Sequence, residues 1–93
     1  MIMKKFNYNQ KQYNELEALS FNLFVLRFKE NNEFIKEQIR DTVKFELELL
    51  DNLNVPYWVQ NEVIFYVEQK LKYKYSLKEY LSKYNITPII KKK

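Results

Sequence analysis

Glycine, cysteine and histidine are all absent from this chain of 93 residues, and proline occurs only twice. Each absence removes a class of chemistry. Without glycine there is no loop that brings backbone amides up to a phosphate. Without cysteine there is no disulfide framework, no thiol nucleophile and no thiolate ligand, a composition that fits a reducing cytoplasm. Without histidine the commonest catalytic base and metal ligand are missing. Long hydrophobic runs are lacking too. The most apolar stretch, Leu19 to Phe28, is ten residues long and includes Asn22 and Arg27, well short of the roughly 20 apolar residues that span a bilayer. Glu15 and Glu17 follow the basic start Met1 to Lys5 before any apolar stretch, so no secretory signal is expected. These features predict a cytoplasmic protein with no membrane partner, no cofactor and no metal.

Aromatic residues are abundant instead: eight Tyr, seven Phe and one Trp. A chain this short buries only about 60 to 65% of its unfolded surface, so some rings are expected at the surface, where they serve self-association or a partner. The formal net charge is +4, unevenly spread: residues 1–51 carry 8 basic and 9 acidic side chains, residues 52–93 carry 8 and 3. A basic C-terminal half suits a polyanion or an acidic patch on another protein. Lys, Asn, Ile, Tyr and Phe together supply 46 residues; their AT-rich codons point to an AT-rich bacterial, phage or plasmid genome.

Periodicity predicts an all-α fold, a small single-domain bundle of about four helices, three long and one short at the C-terminus, with no sheet. Residues 1–93 form one domain in this reading, with 1–8 and 88–93 as frayed tails. The first helix is predicted from a cap at Asn9, with Gln12 reaching back, through Tyr13, Leu16, Leu19, Leu23 and Leu26 to about Glu30. The second begins at Asn31-Asn32, with Ile35, Ile39, Val43, Leu47, Leu50 and Leu53 on its core face and Phe34, Phe45 and Leu49 on another side. Asn52 to Asn54 end it. Pro56 is expected within the first turn of a third helix, whose buried face is Val59, Val63, Tyr66, Val67 and Leu71. Ser76-Leu-Lys-Glu79 forms a capping box that starts a fourth helix with Leu77, Tyr80, Leu81 and Tyr84 on one side, and Asn85 is its left-handed cap.

Little in this pattern supports catalysis. Glu46, Glu48 and Asp51 cluster, which suits an acid pair or a cation site in principle, but a solvated polar face is the simpler expectation. Ser20, Ser76 and Ser82 have no partner base, so no enzymatic activity is predicted. Ser76 to Pro88 resembles the first helix and turn of a helix-turn-helix. A recognition helix would have to start at Thr87.

The functional signal is the interleaving of Lys and Tyr from Lys70 to Lys83, a composition that pairs cations with phosphates and stacks rings on bases. The same composition also describes a helical rim whose stems pack inward and whose polar tips stay in water. Three readings follow. The first is a non-enzymatic helical interaction protein, a regulator, inhibitor or accessory factor of a phage, plasmid or other mobile element, binding another macromolecule through an aromatic and basic surface. The second is a small nucleic-acid-binding protein using residues 70–84. The third is a structural homodimer formed through the second apolar side of helix two. The residues expected to contact a partner or nucleic acid are Tyr57, Trp58, Lys70, Lys72, Tyr73, Lys74, Tyr75, Lys78, Tyr80 and Lys83.

Overall fold

The computed structural model describes residues 4–69 and 75–90. In chain order these form a strand β1 (Phe6–Tyr8), helix α1 (Gln10–Phe24), a π-helical turn (Val25–Lys29), helices α2 (Glu33–Asn52), α3 (Tyr57–Gln69) and α4 (Leu77–Ser82), and a strand β2 (Ile86–Pro88). The mostly helical fold with four helices is as predicted, and a small sheet is added to it. β1 and β2 pair in parallel, Phe6 with Ile86 and Tyr8 with Pro88, so the expectation of no sheet and of fraying at residues 6–8 and at Pro88 is corrected. Three-residue strands carry too little alternation to be read from sequence. What anchors them is contact 80 residues apart: Tyr8 and Ile86 are core residues, and Thr87 Oγ1 donates to Asn7 Oδ1 at 3.0 Å. Thr87 and Pro88 therefore lie in a strand, and no recognition helix starts there.

Asparagine does the punctuating that glycine does elsewhere. Asn9 Oδ1 accepts from the Gln12 amide and Gln12 Oε1 accepts from the Asn9 amide, both at 2.8 Å. Gln12 is itself buried, and its Nε2 donates to the Leu53 carbonyl at 2.8 Å, so the cap of α1 is tied to the end of α2. Asn32 Oδ1 accepts from the amides of Phe34 and Ile35 at the start of α2. At its end Asn54 takes φ 63°, and the amides of Asn54 and Val55 return to the carbonyls of Asp51 and Leu50, the pairing of a Schellman cap. Asn85 takes φ 64° after α4. Both are left-handed positions that asparagine tolerates better than other side-chain-bearing residues. The Ser76–Glu79 capping box forms as predicted. Pro56 stands one position before α3 rather than inside it, with its carbonyl accepting from Val59 and Gln60.

The core gathers Leu16 and Leu19 from α1, Leu50 from α2, Val59, Val63, Tyr66 and Val67 from α3, and Leu77, Tyr80 and Leu81 from α4. Leu71 lies outside the described residues. Two expectations for α2 and α3 change. The α2 stripe joins the core only from Val43 onward, through Val43, Leu47, Leu50 and Leu53; Ile35 is exposed. Gln60, absent from the predicted buried face of α3, is buried, and its Nε2 donates to Asp51 Oδ1 at 2.8 Å and the Val55 carbonyl at 3.1 Å. A buried amide is tolerated here because its donors are satisfied.

Candidate functional site

α1 does not run as an uninterrupted α-helix to Glu30. The five residues after α1, Val25–Lys29, form the π turn, closed by the Glu30 amide donating to the Val25 carbonyl at 2.9 Å. A π turn holds one residue more than an α turn, re-aims the side chains that follow, and is frequent at functional positions. Leu26, Arg27 and Phe28 on this turn, together with Lys36 and Arg40 on α2, line a concavity of about 420 Å³. Both arginines of the chain therefore meet at one elbow. Each cation carries an acid: Arg27 pairs with Glu68 of α3, Lys36 with Glu33 at 3.5 Å, and Arg40 with Glu37 at 2.6 Å. Each lining cation is thus partly neutralised, and Leu26 and the partly exposed ring of Phe28 complete the lining.

The residues singled out by sequence are not one surface. Lys70, Lys72, Tyr73 and Lys74 lie outside the described residues. Tyr75 and Lys83 come together around a hollow of about 210 Å³ with Gln69, Tyr80 and Tyr84. There Lys83 Nζ sits 3.4 Å from the centroid of the Tyr75 ring. Lys78 points elsewhere: its ammonium lies 5.5 Å from the Tyr13 ring, at a larger hollow of about 430 Å³ bounded by Tyr8, Asn9, Gln10, Pro88 and Ile89. Tyr57 is exposed, Trp58 packs partly buried against the core, and neither lines these hollows. Tyr80 is corrected outright. It is 5% exposed, its ring lies 5.3 Å from Tyr66 and 5.0 Å from Tyr84, and its hydroxyl donates to Glu62 Oε1. Burial, then Tyr84 and Glu62, hold its phenol well above the ordinary range. Tyr80 reads as amphipathic by spacing, and in the fold its ring fills the α3–α4 seam.

Tyr8 and Tyr13 stack at 5.0 Å. Burial raises both phenols, and for Tyr13, with Glu17 beside it, the value is pushed up to about 12. The Tyr8 hydroxyl is buried with no hydrogen-bond partner among the described residues.

The acidic cluster also differs from expectation. Glu46 is not on a solvated face: it is buried between α1 and α2, and Asn22 Nδ2 donates to both of its carboxylate oxygens at 3.1 and 3.0 Å. Burial raises its pKa; the Asn22 bond opposes this, and Glu15 adds to it. Asp51 is occupied by Gln60. Among the described residues no three acidic side chains gather as a cation site, and no helix is long and apolar enough to cross a membrane.

The elbow was not legible in the sequence. Arg27 and Arg40 are 13 residues apart along the chain, and neither is among the contact residues expected from sequence. Only the π turn and the α1–α2 hairpin bring them together. Compared with known proteins, the chain matches no family model, and no curated protein or solved structure is significantly similar to it.

Proposed function

We propose that this is a non-enzymatic interaction protein, a small regulator, inhibitor or accessory factor that docks an aromatic and basic surface on another protein, with the Arg27, Phe28 and Arg40 elbow as its centre. One observation carries the reading: both arginines converge with Phe28 on a single concavity. Aromatic rings are enriched at the energetic centres of protein interfaces because they give large contact area for few ordered rotors, and arginine because its planar fork makes directional hydrogen bonds. The pairing of these cations argues for a protein over a nucleic acid. A phosphate backbone is best met by a run of unopposed cations, whereas Arg27, Lys36 and Arg40 each carry a glutamate. A segment that offers both acidic and apolar side chains matches that pattern.

Anisotropy of labelled single-stranded and duplex DNA and RNA, titrated at low and near-physiological salt, tests the choice of partner. Binding no tighter than the general attraction of a protein of charge +4, and unchanged by Arg27→Glu with Arg40→Glu, is the expected result. Tight binding that falls steeply with salt and is lost in that variant would overturn the protein-partner reading.

A further inference from the structure

On the side of α2 turned away from the elbow, Phe34 and Phe45 stand 73% and 58% exposed. At 100° per residue they lie within about 20° of each other, three turns and roughly 16 Å apart. Gln38 and Asp41 fill the same strip between them, and Ile35, Glu37, Thr42 and Lys44 flank it; all eight side chains are exposed. The strip is self-complementary when read against itself in reverse. An antiparallel copy related by a two-fold axis between residues 39 and 40 puts Phe34 on the partner's Phe45 and Gln38 on the partner's Asp41. Along one flank it puts Glu37 beside the partner's Lys44, and along the other Ile35 beside the partner's Thr42. Every contact occurs twice by symmetry, as an isologous interface requires. A parallel copy would instead set the Glu37–Lys44 flank against the partner's Ile35–Thr42 flank and form no ion pair.

We propose that α2 is a homodimer interface in which two copies of this chain pair antiparallel through Phe34, Gln38, Asp41 and Phe45, with Glu37–Lys44 ion pairs fixing the register. Glu37 already meets Arg40 on its own helix, and a carboxylate has acceptor sites for a second cation. The interface is three turns of one helix, less than the roughly 800 Å² per partner of a standard complex, so the dimer is a concentration-dependent one. Lys36 and Arg40 lie on the opposite side of α2, and the pairing leaves both elbow concavities open. This inference is independent of what the elbow binds.

Sedimentation velocity of the full chain from low micromolar to about 1 mM tests it. The expected result is a monomer that converts to a dimer across this range at low salt. Phe45→Glu stays monomeric throughout while its helical circular dichroism is unchanged. Glu37→Lys or Lys44→Glu alone weakens association roughly tenfold, and the double variant, which exchanges the charges without touching an apolar residue, recovers most of the loss. A chain monomeric at 1 mM, a dimer indifferent to Phe45→Glu, or a double variant no better than either single one would overturn the proposal.

Discussion

Glu46 shows how one side chain can be read wrongly from sequence and still decide stability. Its carboxyl is buried, and its pKa is raised first by that burial. A raised acid is favoured protonated in the fold, so its contribution is complete at low pH and is lost as pH rises through the folded value. Glu46→Gln keeps an acceptor for Asn22 and removes the buried charge. It is expected to stabilise the protein at neutral pH by on the order of 1 kcal/mol, read as a higher Tm, with no gain at pH 3. Tyr13 has the same sign at the other end of the scale. Because its phenol is pushed from 10.0 up to about 12, stability is expected to fall between about pH 10 and 12. Tyr13→Phe should reduce that fall, measured by alkaline titration of circular dichroism. Asn54, at φ 63°, is a third residue whose role is local: Asn54→Ala should cost about 1 kcal/mol and Asn54→Gly little or nothing, by urea unfolding.

The helices were legible where capping chemistry and apolar spacing agree. Asn9 with Gln12, Asn32, Asn54, Ser76 with Glu79, and Asn85 each stand where the pattern breaks, and each makes the local bond its side chain favours or takes the backbone turn it tolerates. Ser76→Ala is therefore expected to cost about 1 kcal/mol. Asn9→Ala should cost more, because Gln12, its capping partner, also holds the Leu53 carbonyl. A double-mutant cycle between Asn9 and Gln12 would show the coupling. What local pattern could not give were the features set by distant contacts. The β1–β2 pair depends on residues at opposite ends of the chain. The π turn follows Phe24, which packs on the core, and is closed by a bond from Glu30 to Val25 that the apolar spacing of α1 does not signal. The burial of Gln60 and Glu46 depends on partners across helices, Asp51 and Asn22.

At the level of the molecule, an elongated body of 47 × 30 × 29 Å carries two surfaces proposed to meet a partner. One is the elbow at the π turn and the other is the Phe34–Phe45 strip of α2. The Lys-Tyr segment singled out by sequence is, in its described part, engaged in contacts within the chain: Lys83 lies on Tyr75, Lys78 lies on Tyr13, and Tyr80 is core. A ring and a cation that already satisfy each other are less available to a base or a phosphate. The arginine elbow escaped notice for the opposite reason, since its residues are scattered in sequence and meet only through tertiary structure.

The most direct measurement is site-specific photo-cross-linking, with a photoreactive phenylalanine analogue at position 28 and, as a control at the opposite end of α3 from Glu68, at position 57, in the native host. The account predicts a covalent adduct to one discrete protein from position 28, identified by mass spectrometry. Arg40→Glu should remove the adduct, and position 57 should not give it. Adducts to nucleic acid, or a protein adduct from position 28 that survives both Arg27→Glu and Arg40→Glu, would contradict it.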